Sequence, residues 1–231
     1  MTGFAIVGIL WGLHNASRSP MFRLQVLEIS DQPENAPVDT QTLTQLAAVP
    51  IGEISLFDLD LVPIEARLIS HPWIRSVRLQ KQFPQTLSIA VDYRTPVALS
   101  QGDDGNLSYV DADGKLFGRL ILNYYPNLPV LSGVSQTQTV PALQLLNAWD
   151  KAGMTDAQLS SLQWDFEKGY RMWVTHISGR FVIDLGQDLD AEEQFRRLKQ
   201  VFGYLKTQKI QVQQIWADAG KKIVVRSVRG S

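Results

Sequence analysis

His14, His71 and His176 are the three histidines of the chain, and no cysteine accompanies them. A transition-metal site gathers such side chains at short, characteristic spacings, and these three are far apart in sequence. His71 stands at the end of an expected helix, just before Pro72, where an imidazolium would complement the helix dipole. A structural role there outweighs ligation. The lack of cysteine removes disulfides, thiolate nucleophiles and cysteine-ligated zinc. It suits an oxidising compartment, although many cytosolic chains also lack cysteine. The run "DADG" (111–114) has the acidic character of a calcium loop. Such a loop needs more carboxylates and a Glu at its twelfth position, where this chain has Leu122. A hairpin turn on Gly114 is the better reading, and "QGDDGN" (101–106) is read as a turn likewise. There is no glycine-rich phosphate loop, nucleophile elbow or zincin motif. An enzyme would have to assemble carboxylates in three dimensions that nothing in the sequence groups together. No cofactor and no metal are expected.

The remaining chemistry is that of binding. The formal net charge is -1, so no global field draws the chain to nucleic acid or acidic membranes. Apolar residues make up 45% and charged residues 19%, the balance of a folded protein. Any interaction surface is therefore local. Arg75, Arg78 and Lys81 lie along one expected strand and form a possible docking face. The alternative is a solvated strand face that discourages edge aggregation. Trp73, at a helix end, is read as domain core before interface anchor. The segment "KKIVVRSV" (221–228) is a short apolar strand near the end of the chain. A terminal strand at a sheet edge offers unpaired N–H and C=O groups to a partner strand. From the residues alone, an ordinary edge or internal strand is the simpler reading.

These candidates need elements to hold them. "MTGFAIVGILWGLHNAS" has no charged residue before Arg18, and Gly3 to Leu13 is almost wholly apolar. As a helix, Thr2 to Ser17 would span about 24 Å, short of the ~30 Å hydrocarbon core. A cleaved signal peptide lacks its basic n-region and a clean cleavage site here. A buried core helix is the plainer alternative. The expectation is a transmembrane anchor over 1–19, short or lacking its cytoplasmic flank. "FRLQVLEIS" (22–30) alternates as a strand, with Phe22, Leu24 and Val26 on its inner face. A helix starts at Asp39 or Thr40 and buries Leu43, Leu46 and Ala47. Asp60 caps a second helix with Leu61, Ile64 and Leu68 inward, ending by Ser70 or His71 because of Pro72. Two strands follow around the turn "QFPQT", with Val77 and Leu79 facing in from one and Leu87, Ile89 and Val91 from the other. Strand, helix, helix, strand, strand makes a complete two-layer domain.

The stretches "GEISLFDLDL" (52–61), "HPWIRSVRLQKQFPQTLSIAV" (71–91) and "RTPVAL" (94–99) share one pattern. A loop ends in Leu-Phe and a helix in Pro-Trp-hydrophobic. A basic strand, an aromatic-Pro turn, an apolar strand and Pro-Val-Ala follow. This resembles the periplasmic part of the FtsQ/DivIB family of bacterial cell-division proteins, whose POTRA domain has this layout. Tyr93 stands where that family usually has Glu, with Asp92 just before it. "YVDADGKLF" (109–117) is similar to the family's Asp-x-x-Gly-x-Phe hairpin, and "LPVLSG" (128–133) to its Leu-Pro-x-Leu-x-Gly segment. Beyond these, "VPALQLLNAWDKAG" reads as a helix. "YRMWVTHISGRFVIDLG" reads as a hairpin turning at Ser178-Gly179, with Phe181, Ile183 and Leu185 on one face. "DLDAEEQFRRLKQVFGYLKTQ" (188–208) reads as an amphipathic helix, and two strands close the chain.

The resemblance implies an α+β fold: an anchor (1–19), a POTRA domain (20–94) and a mostly antiparallel β domain with helices (95–231). It implies a non-enzymatic scaffold of the divisome, single-pass in the inner membrane, with most of the chain in the periplasm at the division septum. FtsB and FtsL are the implied partners, with recruitment of later septal proteins. The implied binding edge comprises Trp216, Lys221, Lys222, Ile223, Val224, Val225, Arg226 and Val228; Arg75, Arg78 and Lys81, read from the residues and not from the resemblance, are the possible second docking face. The family's Val-Asp-Leu-Arg-Tyr run is here "IWADA": Trp216 replaces Asp, Asp218 replaces Arg and Ala219 replaces Tyr. Two rivals remain. One is a POTRA-type module of an outer-membrane assembly or secretion system, which would bring repeated units or a long C-terminal barrel. The other is a periplasmic hydrolase with a convergent site.

Overall fold

The computed structural model describes residues 19–120, 127–187, 190–217 and 222–227. The expected anchor, apart from Ser19, lies outside the described residues. The chain divides into two compact units, Met1–Arg94 and Thr95–Ser231.

In the first unit a short 3-10 turn, Pro20–Phe22, leads to β1 (Val26–Ser30), α1 (Thr40–Ala47), α2 (Val62–Ile69), β2 (Ile74–Gln82) and β3 (Thr86–Tyr93). The sheet order is β1-β3-β2. β3 pairs antiparallel with β2 and parallel with β1, so it is the central strand. This explains why Ser88, on the face of β3 opposite Leu87 and Ile89, is buried as well. Leu24, Leu43, Ala47, Ile64, Leu68, Trp73 and Ile74 complete the core with them. Asp39 caps α1 through its carboxylate, which accepts from Thr42 N at 2.7 Å. The cap of α2 is Leu61, one residue later than expected. Asp60 still serves that end, accepting from Val62 N at 3.0 Å. α2 stops at Ser70, as Pro72 requires. Arg67 reaches back to the carbonyls of Leu46 and Ala47, satisfying the open end of α1.

One inward face differs from expectation. β1 begins only at Val26, and Val26 is 50% exposed, whereas Leu27 and Ile29 pair with Leu87 and Ile89. The 3-10 turn at Phe22 and the contact of Leu24 N with Ile54 O break the run before the strand starts. The alternation is therefore reset by one residue, which exchanges the two faces.

In the second unit, β4 (Pro96–Gln101), β5 (Leu107–Asp111), β6 (Leu116–Arg119) and β7 (Val130–Ser132) precede α3 (Gln136–Ala152). β8 (Ala157–Asp165), β9 (Gly169–His176) and β10 (Gly179–Gly186) follow, then α4 (Ala191–Gln208), β11 (Val212–Trp216) and β12 (Val224–Ser227). Among the described residues these strands form a sheet ordered β12-β11-β10-β9-β8-β7-β4-β5-β6. Hairpin neighbours pair antiparallel. β7 and β8, and β10 and β11, pair parallel across α3 and α4. A parallel neighbour needs a crossover, and here a helix supplies it. Both helices contribute to one core with the inner residues of the strands, including Trp149, Phe181, Ile183, Phe195 and Phe202. Trp149 meets Phe195 edge-on at 5.6 Å. The turn of "DADG" is a hairpin: Gly114 has φ +81, and Asp111 Oδ1 accepts from Asp113 N and Lys115 N. At the β8–β9 turn Gly169 is required. A Cβ there would stand 2.1 Å from Gly186 O.

Leu87 is fully buried in the central strand of the first unit. Leu87→Ala should lower unfolding free energy by about 2–5 kcal/mol. Val26→Ala, on the exposed face, should change it little. Chemical denaturation of both variants checks this, and equal losses would contradict the register described.

Candidate functional site at the open sheet edge

β12 is the outermost strand at one end of the sheet, paired on one side with β11. Its orientation follows from one hydrogen bond. Ala217 N donates to Asp184 O at 2.8 Å, so the Ala217 N–H points toward β10. Along a strand successive residues turn their backbone groups to opposite sides. The N–H and C=O of Trp216 and Gln214 therefore point to β12, where they face Val224 and Arg226. Val224 and Arg226 use their backbone groups inside the sheet. Val225, between them, turns its N–H and C=O to the open edge. Among the described residues no strand pairs there.

The side chains alternate in the other direction. Ile223 and Val225 lean toward α4 and are half-buried, while Lys222, Val224 and Arg226 are exposed. Between β12 and α4 runs a groove of about 570 Å³, lined by Val201, Tyr204, Leu205, Ile210, Ile223 and Val225 among others. A strand added at this edge could place every second side chain in that apolar groove. On the opposite sheet face stands a polar network that no local sequence pattern announces. Asp184, buried, accepts from Arg171 Nε at 2.6 Å and from Gln214 Nε2 at 2.6 Å. It ties β9, β10 and β11 together beside the half-exposed Trp216. Three such residues on three strands have no shared spacing to read. Lys221, Val228, Asp218 and Ala219 lie outside the described residues.

Arg75, Arg78 and Lys81 all sit on β2, an edge strand of the first unit. They do not form one face. Lys81 pairs with buried Leu87, and Arg78 with Ala90, on opposite sides of the sheet. Lys81 Nζ donates to Phe57 O at 3.4 Å. Trp73 is buried in the core.

The histidines stay apart. His14 lies outside the described residues, and His71 and His176 belong to different units. Among the described residues no group of three His, Asp or Glu side chains could hold a metal ion. His176 is buried, its Nδ1 accepting from Ser178 N at 3.0 Å while Nε2 has no partner. Its ring packs on Phe202 at 5.1 Å and near Phe181. Burial pushes its pKa below the ordinary 6.5; Asp156 opposes the shift and Lys206 adds to it. Those two are themselves paired at 2.8 Å.

Residues 98–218 match the family described as cell division protein FtsQ/DivIB, C-terminal, and residues 17–92 match the POTRA domain, FtsQ-type. The chain belongs to the FtsQ/DivIB family. It is 28% identical to a cell division protein FtsQ of Geobacter sp. (strain M21), over 94% of this chain and 81% of that one. With the FtsQ of Syntrophotalea carbinolica it shares 29% identity over 90% and 75%. With that of Anaeromyxobacter sp. (strain K) it shares 34% over 71% and 58%. Membership in FtsQ/DivIB assigns the chain a role in cell division, among divisome proteins. Among the described residues no helix is long and apolar enough to cross a membrane.

The lowered pKa of His176 has a definite consequence for stability. The folded state holds this imidazole neutral more firmly than the unfolded chain does. Its contribution is full above the ordinary value of 6.5 and is lost as pH falls through the lower folded value. His71, lowered by burial, acts in the same direction. The melting temperature should therefore fall as pH drops below 6.5. His176→Phe, which keeps a ring against Phe202, should flatten that slope for the second unit. Melts across this range check it, and an unchanged slope would contradict it.

Proposed function

We propose that this chain is a non-enzymatic scaffold of the divisome that receives a strand of FtsB at the open edge of β12, in a complex with FtsL. In this reading residues 1–19 anchor it as a single-pass protein of the inner membrane. Residues 20–94 form the POTRA domain and 95–231 the β domain, both in the periplasm at the division septum. It helps recruit later septal proteins and uses no cofactor.

The observation that carries the reading is Val225, whose backbone N–H and C=O point out of the sheet at an edge. Strand addition draws its affinity from such groups and its specificity from alternate side-chain pockets. The groove beside α4 supplies such a pocket. Trp216, Lys222, Ile223, Val224, Val225 and Arg226 are the described residues of the proposed interface, with Lys221 and Val228 extending it in sequence. Arg75 and Arg78 on β2 remain the second docking candidate, with Lys81 turned away from Arg78.

Two tests follow from the geometry. Proline at Val225 removes the N–H offered to the partner, and edge strands tolerate proline at outward positions. Val225→Pro should fold by circular dichroism yet lose co-purification of FtsB. Val224→Pro removes an N–H that faces Trp216 inside the sheet, so it should detach β12 and lower the melting temperature as well. Full affinity in a folded Val225→Pro protein would move the interface to the β2 face. Separately, the full chain should resist carbonate extraction from membranes, and a chain starting at Ser19 should be soluble and folded. Release of the full chain by carbonate would remove the anchor.

A further inference from the structure

Two motifs of the first unit, the Leu-Phe loop and the aromatic-Pro turn, meet in space. Phe57 and Phe83 approach to 4.7 Å between ring centroids, and Phe22 joins them at 5.0 and 6.3 Å. Backbone bonds fix the meeting. Leu56 N donates to Phe22 O at 2.8 Å, and Gln25 N donates to Gln85 O at 2.9 Å. The cluster is nevertheless not core. Phe57 is 47% exposed, Phe83 51% and the adjoining Met21 62%. Three segments thus converge to hold large apolar side chains in water, a cost that calls for an occupant.

The sequence next to it points to the occupant. Thr2 to Ser17 carries no charge, and Phe22 lies five positions beyond Ser17, with four residues between them. A chain of that length reaches at most about 17 Å. If the uncharged segment enters a bilayer, the ring cluster cannot be far from the headgroups. We propose that Met21, Phe22, Phe57 and Phe83 form a foot that inserts into the interfacial zone of that bilayer's near leaflet. This rests on the reading of the N-terminal segment as an anchor. Interfacial insertion of aromatic and aliphatic side chains scales with the apolar area buried. Cations and acids both border the foot in sequence, Arg18, Arg23 and Lys81 against Glu53 and Asp58, so its surroundings carry little net charge. Apolar insertion, and not attraction to anionic lipid, therefore drives the contact. The foot fixes the end of the three-stranded sheet at Phe83 toward the membrane and the opposite end of β2 away from it.

The absence of cysteine makes the test direct, since a single introduced thiol takes the label. Gln82, exposed beside the intact rings, and Ser76, exposed on the same strand, are the two sites. They lie six residues apart along β2, about 20 Å. The full-length Gln82→Cys and Ser76→Cys proteins are spin-labelled and reconstituted in phosphatidylcholine vesicles. Flotation is measured, then label accessibility to oxygen and to a water-soluble nickel complex. The expected result is flotation, with accessibility at 82 shifted toward oxygen and away from nickel relative to 76. Phe57→Ser with Phe83→Ser should abolish that shift while flotation and circular dichroism stay unchanged. Flotation with equal nickel accessibility at both sites overturns the foot and leaves the anchor standing. A label at 82 shielded from both reagents overturns it in favour of a protein covering. Failure to float overturns the anchor and the foot together.

Discussion

A sheet that does not close must end in a strand whose backbone is half unpaired, and in the second unit the crossover of α4 decides which strand that is. Phe195, Leu198, Phe202 and Leu205 bury one face of α4 against the sheet. That packing obliges the chain to return beside β10 in parallel, as β11. Only then can β12 fold back as the outermost strand. The orientation of the edge is inherited from the same step. The bond from Ala217 N to Asp184 O sets the phase of β11, and β11 sets the phase of β12. The exposure of the Val225 backbone is thus a consequence of helix packing several residues away. Asp184 serves twice in this arrangement. Its carbonyl holds the phase, and its carboxylate collects Arg171 and Gln214 across three strands. A buried carboxylate is tolerable there because both oxygens accept a hydrogen bond.

The first unit is built around a different constraint, the central position of β3. A strand paired on both sides has no free edge, and its inner face carries the core residues Leu87 and Ile89. The edges fall to β1 and β2. β2 carries exposed Arg78 and the exposed polar residues Ser76, Gln80 and Gln82 on its outer face. This composition opposes uncontrolled pairing of edges. The two units therefore treat their edges differently. One presents a charged and polar strand, and the other presents a short strand with alternating apolar side chains beside an apolar groove.

The helices and hairpins were legible because their signals are local. α1 has a capping carboxylate, Asp39, α2 has Asp60 just before its cap, and a proline follows the end of α2. Phe181, Ile183 and Leu185 alternate as a half-buried strand should, and all three are buried. Partners across long sequence separations leave no such trace. The parallel pairing of β7 with β8 and of β10 with β11 depends on how α3 and α4 lie on the sheet. Periodicity reports which face is apolar, not which strand is the neighbour. The failure at Val26 has the same root. The phase of an alternation is fixed where the strand starts, and a 3-10 turn stabilised by Leu56 N and Ile54 O moved that start. The edge strand was legible as a strand, but the side of it that faces outward was not. That side depends on the pairing between β10 and β11.

The departures at "IWADA" bear on the proposed strand addition through the same geometry. Trp216 lies on β11, and its backbone is committed to Val224. Its side chain stands on the sheet face opposite α4, beside the Asp184 network. A residue in that position can touch an added strand only across β12. It cannot alter the hydrogen-bonding groups that Val225 presents. Replacing an acidic residue by tryptophan there changes the side-chain surface on one face while leaving the backbone template intact. The groove on the other face is made by α4 and by Ile223 and Val225, none of which belongs to the altered run. An edge of this kind separates binding from identity. In the proposed complex the backbone would supply attachment that does not depend on side chains, and the two faces of β12 would supply selectivity that can change independently of each other.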